Sequence, residues 1–313
     1  MLTKHPLSAD DAAIVDAMRT ATAEHKGAIF GPEARAGFNA GLAAGTPAPP
    51  DVRYREDAVG GIAGWWCEPT DAAPAARLLY LHGGCYVLGS AEALRPFAGQ
   101  LAVRSRAKTF VPDYRLAPEN PFPAAIDDTV AVYRGLAERT DQIVVAGDSA
   151  GGGLTLALLA ILASDGDIRT QPRGAAVISP WTDLALTGPS LTARATADPI
   201  FTRAVLAHFA DLYLQGADPS DPRASPLYGA TPRGLPPIRI DVGEDEVLLD
   251  DSVRYAQRPR DGRSDVAVHV WAGMPHVFPS SLGRLAAALT CTDEIGAFLR
   301  GCFQSSADER SMT

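Results

Sequence analysis

Apolar residues along this chain fall into short β-branched runs that alternate with longer stretches of helical spacing. Val52 to Val59 and Ile62 to Cys67, joined by Gly60-Gly61, predict an antiparallel hairpin. Further runs predict strands at 77–82 (RLLYLH), 109–112, 143–147, 174–179 (GAAVIS), 238–242 (IRIDV) and 266–271 (VAVHVW). Between them the spacing predicts helices at about 95–106, 124–139, 150–164, 202–214, 248–258 and 284–301. Strands alternating with helices of this length predict an α/β fold: a mostly parallel sheet with helices on both faces. The run 143–147 is apolar throughout and suits the centre of that sheet. In residues 1–46, Ile14, Val15 and Met18, then Ala34, Phe38 and Leu42, fall at helical spacing. Glycines at 27, 31, 37, 41 and 45 weaken the pattern, which predicts two short helices. TPAPP at 46–50 is a stiff linker, and the polar residues 303–313 are expected to fray.

Composition narrows the function classes. With 313 residues, 46% of them hydrophobic, the chain can bury a large core, and its length suits one α/β domain with an appended lid. The 28 basic and 37 acidic residues give a net charge of −9 without a basic cluster, which argues against nucleic acid or an anionic membrane as partner. Cys67, Cys85, Cys291 and Cys302 form no CxxC pair, so they read as reduced, buried thiols of a cytoplasmic protein. The N-terminus lacks an apolar signal core, and the longest apolar run, Leu154 to Ala163, is too short to span a bilayer.

One stretch organises the chemistry. In VVAGDSAGGG (144–153) a strand stops at Gly147, turns through Ser149, and opens into a helix. The residue at the apex of such a turn is forced into the left-handed region, and its neighbours must be tiny. Gly147, Ala150 and Gly151 meet that need. The strain lifts the Ser149 hydroxyl clear of the backbone, and the helix points its N-terminal amides at any nearby oxygen. The pattern predicts a nucleophile elbow with Ser149 at its apex.

Ligands in open α/β sheets bind beyond the carboxyl ends of the strands, which directs attention to the loops there. After 77–82 come His82-Gly83-Gly84-Cys85, where adjacent glycines let backbone amides approach a substrate oxygen. After 266–271 comes AGMPHVF, and of the six histidines only His276 lies on a loop past a late strand. After 238–242 come Glu244, Asp245 and Glu246, any of which suits the acid in the order serine, acid, histidine. Asp250 and Asp251 follow in the first turn of a helix, where the dipole favours a carboxylate without catalysis. The residues alone leave the acid open among the first three.

The chain resembles the bacterial hormone-sensitive-lipase-like carboxylesterases, a branch of the α/β-hydrolases. The resemblance runs from about residue 50 to near the end through YLHGGCYVLGS (80–90), DYRLAPENPFPAAIDD (113–128), AGDSAGGGL (146–154), SPWTDL (179–184), SPLYG (225–229), VGEDEVLLDD (242–251) and MPHVFP (274–279). It implies Ser149 as nucleophile, His276 as base and Glu246 as acid, with Asp245 in reserve. It also implies an oxyanion hole from the amides of Gly83, Gly84 and Ala150. Cys85 stands where the motif most often has a third glycine, and a thiol there would make the enzyme sensitive to alkylation.

The resemblance further implies a small helical cap on the α/β-hydrolase fold, formed by residues 1–46 and an insertion at about 185–230, with the catalytic domain at 47–313. Phe30, Phe38, Phe201, Leu206 and Phe209 would line the cap, and Tyr86 and Trp181 the pocket mouth. The expected reaction is hydrolysis of short- to medium-chain acyl esters through an acyl-enzyme, with no metal or organic cofactor. A lactone hydrolase with the same triad is an alternative reading, and a non-catalytic small-molecule receptor on the same fold a remote one. Family resemblance also implies pairing of two copies, as a homodimer, through the edge of the last strand.

Overall fold

The structure is a computed structural model that describes residues 1–165, 170–231, 233–258 and 265–311. The chain opens with β1 (Leu2–His5), α1 (Ala9–Thr22) and α2 (Arg35–Gly45), then the hairpin β2 (Val52–Val59) and β3 (Ile62–Pro69). Next come β4 (Arg77–Leu81), α3 (Ala91–Ser105), β5 (Lys108–Pro112), α4 (Ala124–Ala137), β6 (Ile143–Asp148) and α5 (Ser149–Ser164). After β7 (Ala175–Ile178), α6 (Ser190–Ala193) and α7 (Arg203–Leu214) lie β8 (Ile238–Gly243), α8 (Leu249–Gln257), β9 (Val266–Trp271) and α9 (Ala286–Ser311). The strands form one sheet of order β1-β9-β8-β7-β6-β4-β5-β3-β2. It is antiparallel only where β3 meets β2 and β5, and parallel elsewhere.

Position in the sheet follows from side-chain chemistry. Every residue of β6 is buried, as a strand covered on both faces requires, and β6 lies between β4 and β7. On one face Leu78 and Tyr80 pack against Phe97 and Leu101 of α3 and Ile295 and Leu299 of α9. On the other, Leu79 and Val145 join Val132 and Leu136 of α4 and Leu154 and Leu158 of α5. All four cysteines are buried. Among the described residues no helix is long and apolar enough to cross a membrane.

Three elements depart from the sequence reading. The strand β1 was not predicted, because LTKH offers no apolar run; its partner β9 supplies the order, aided by the terminal ammonium, which donates to Val266 O at 2.9 Å. It fills the outer edge of β9, the edge through which two copies were expected to pair, so a second copy arriving there would meet β1 instead. Helix α3 starts at Ala91 rather than near 95, because Ser90 caps it by accepting from Ala93 N and Asp113 Oδ1 accepts from Ala91 N. It then carries Pro96 inside. Helix α9 runs on through Ser311, where fraying was expected, and residues 312–313 lie outside the described residues.

The N-terminal segment and the stretch after β7 meet. Arg19 Nη1 donates to Ala197 O at 2.5 Å, Lys26 Nζ donates to Ala195 O at 2.7 Å, and the Phe30 and Phe209 rings meet edge to face at 5.6 Å. Arg35 ties the same segment to the body by donating to Val87 O and Ala117 O, each at 2.8 Å, and by pairing with Glu119.

Candidate active site

Strand β6 ends at Asp148, and Ser149 turns the chain into α5 with φ +53°. That left-handed apex costs a non-glycine residue of the order of 1 kcal/mol, and the packing around it holds it there. A Cβ on Gly147 would strike the carbonyl of Gly151, and one on Gly151 would strike the carbonyls of Leu81 and His82. The small residues flanking Ser149 are thus a steric requirement of the turn.

Behind the serine, Asp148 is buried, and burial pushes its carboxyl pKa up against the bonds that favour the carboxylate. Its Oδ1 accepts from Tyr80 Oη at 2.7 Å and from Gly83 N at 3.1 Å. The latter bond corrects one expectation. Gly83, expected to offer its amide to substrate, donates it to Asp148, and Gly84 and Cys85 are the loop residues that border the cavity beside Ser149. The loop is bent by positive φ at Gly84 (+114°), Cys85 (+55°) and Tyr86 (+64°). His82 braces it from below: its ring stacks on Tyr114 at 4.3 Å, and the Tyr114 hydroxyl donates to His82 O at 2.7 Å.

His276, on the loop after β9, sets Nδ1 2.7 Å from Glu246 Oε2. The other carboxylate oxygen, Oε1, accepts from Ser179 Oγ at 2.7 Å and from Gly243 N at 2.6 Å. Asp245, the reserve, instead meets Arg19 at 2.5 Å, and Glu244 lies 3.6 Å from Arg194. Asp250 and Asp251 accept from the backbone of Ser190 and of Thr182 and Asp183. The carboxylate touching the imidazole is therefore Glu246.

Ser179 is a site residue that motif reasoning passed over. Besides donating to Glu246 it accepts from Val277 N at 3.1 Å, so one hydroxyl ties the acid loop to the histidine loop. Its signal was its place: it opens the SPWTDL block directly beyond the carboxyl end of β7.

The imidazole of His276 is nearly enclosed, with Phe201 edge-on at 4.9 Å. Burial on its own disfavours the imidazolium. Glu246, with help from Asp198 and Asp148, more than offsets that, and the pKa lies above the ordinary 6.5.

Ser149 and His276 border one cavity of about 330 Å³. Phe30, Phe38, Phe201 and Phe209 line it as expected, joined by Leu42, Leu88, Leu94, Phe97 and Ile200, which the sequence did not single out. Tyr86, Trp181 and Leu206 do not line it and are core residues instead. Tyr86 stacks on Tyr213 at 3.9 Å, Trp181 donates through its indole to Asp183 O, and both Trp181 and Leu206 are fully enclosed.

Cys85 also borders the cavity, but the residue is 3% exposed and burial pushes its thiol pKa up to about 12. The expectation of alkylation sensitivity is thereby reversed, since the thiolate is the reactive form. Incubation with iodoacetamide at pH 8 should leave ester turnover unchanged, as followed by residual activity and by peptide mass at Cys85.

Comparison with known proteins bears on the fold and the family. A family model for the α/β-hydrolase fold matches residues 78–280. An acetyl-hydrolase from Streptomyces hygroscopicus is 39% identical over 77% of this chain and 81% of its own length. An ethyl acetate hydrolase from Pseudomonas putida is 33% identical over 66% of this chain and 67% of its own. The crystal structure of an esterase from the bacterial hormone-sensitive lipase family superposes with a TM-score of 0.87 at 35% identity, covering 95% of this chain and 99% of that one. With the fold, the elbow and these likenesses in agreement, the chain belongs to the α/β-hydrolase family, among the hormone-sensitive-lipase-like carboxylesterases.

Proposed function

We propose that this protein is a serine esterase that hydrolyses short- to medium-chain acyl esters through an acyl-enzyme. The observation that carries the reading is a strained serine and a carboxylate-bound imidazole bordering one apolar cavity. Ser149 Oγ attacks the ester carbonyl carbon while His276 Nε2 takes its proton, and Glu246 holds the Nδ1–H tautomer. The oxyanion is received by the amides of Gly84, Cys85 and Ala150, each worth about 3–4 kcal/mol in the transition state. His276 then protonates the leaving alkoxide as the ester C–O bond breaks. Water attacks the acyl-enzyme, His276 takes its proton, and the acid leaves as Ser149 recovers its hydrogen.

Cavity size supports the substrate class. A volume of about 330 Å³ sits at the small end of ligand pockets, and the lining is almost wholly apolar. Each methylene an acyl chain adds inside it should improve kcat/KM by up to roughly fourfold until the space is filled. With p-nitrophenyl acetate, butyrate, hexanoate, octanoate and laurate, kcat/KM is expected to climb from acetate to a maximum at butyrate or hexanoate and then fall. A steady climb through laurate would overturn the chain-length reading. The names of the acetyl- and ethyl acetate-hydrolysing relatives agree with small acyl groups.

A further inference from the structure

A second cluster of reactive side chains lies outside the hydrolytic site. His5 of β1, His269 of β9 and Glu294 of α9 each offer a donor atom, and these atoms lie within 4.8 Å of one another. His5 Nε2 and His269 Nδ1 are 3.0 Å apart, and His5 is fixed by stacking on Trp271 at 3.8 Å with its ring nearly parallel. We propose that His5, His269 and Glu294 bind a divalent transition-metal ion, best Zn²⁺, that fastens the N-terminal strand to the sheet and to the last helix.

The donors have the right chemistry. Two imidazoles and a carboxylate form a common zinc ligand set, with a water left to complete a tetrahedron. Tetrahedral geometry at Zn–N of about 2.0–2.1 Å puts ligand nitrogens about 3.3 Å apart, so the two imidazoles need to part only slightly. Glu294 is drawn in by rotation of its flexible side chain. One of its oxygens, Oε2, accepts from Arg239 Nη2 at 2.7 Å, the kind of support a metal-bound carboxylate receives.

Charge agrees. Arg239 also pairs with Asp241, so the group of Arg239, Asp241 and Glu294 carries one negative charge in excess and welcomes a cation. No residue of this cluster borders the cavity that holds Ser149.

Because β1 is a four-residue edge strand with no buried residue, an ion bridging it to β9 and α9 would add stability by mass action. The test uses the full chain stripped with EDTA and then titrated with Zn²⁺ alone at pH 8. Calorimetry is expected to find one site, and thermal unfolding a higher Tm once the site is saturated. His5→Ala should abolish both, and Glu294→Gln should weaken binding at least tenfold while β1 keeps its histidine. Co²⁺ substituted for Zn²⁺ should give the d–d absorption of a four-coordinate site in the parent and not in His5→Ala. Ester turnover of the metal-free variants should match the metal-free parent, showing that they fold. Absence of binding to the parent, or equal binding by the parent and both variants, would overturn the proposal.

Discussion

Replacing Ser149 with alanine is expected to lower kcat for p-nitrophenyl butyrate by about 10⁴–10⁶-fold, with the Tm essentially unchanged. The size follows from what is lost. Without Oγ there is no covalent intermediate, and His276 has no proton to accept. The residual rate would come from amides still able to polarise a bound ester toward attack by water. The fold should tolerate the change because alanine presents the same Cβ at φ +53°, and the packing that fixes the turn belongs to Gly147 and Gly151. A fluorophosphonate should label the parent with one equivalent and the variant with none. Turnover within tenfold of the parent, or persistent labelling, would remove Ser149 from the chemistry and with it the acyl-enzyme.

The elbow could be read from the sequence because its constraint is local. The residues that must be small to let the chain turn lie within a few positions of Ser149, so composition and geometry carry the same information. The acid was different. Glu244, Asp245 and Glu246 are neighbours of like chemistry, and what separates them is remote: Arg19 holds Asp245, while His276 and Ser179 meet Glu246. Gly83 failed as an oxyanion donor for the same reason, since the direction of its amide is decided by Asp148, 65 positions away. Tyr86, Trp181 and Leu206 show a related limit. An apolar side chain close to a site satisfies the same pattern whether it faces the cavity or the core, and packing alone decides which. The strand β1 was hidden because an edge strand of LTKH takes its order from β9 and not from its own residues.

Glu246→Gln should reduce kcat/KM by about 10⁴-fold near neutral pH, more than the loss of one charge implies, because the wrong tautomer would be locked in. Two donors, Ser179 Oγ and Gly243 N, point at Oε1. In the amide variant the carbonyl oxygen must face that pair, and the amide nitrogen is then left in the position of Oε2. There it donates to His276 Nδ1, which drives the imidazole proton to Nε2 and occupies the atom that must deprotonate Ser149. The pH profile separates this from a general loss of folding. The base works only when neutral, and Glu246 is the chief group holding the His276 pKa above 6.5 against burial. For the parent, the acid limb of kcat/KM should therefore lie above pH 6.5, with activity rising as pH increases through it. In the variant burial is opposed only by Asp198 and Asp148, so the residual activity should show its limb at lower pH. A limb at the same pH in both proteins, or a loss smaller than tenfold, would mean that Glu246 does not control the imidazole, and the acid would have to be sought elsewhere.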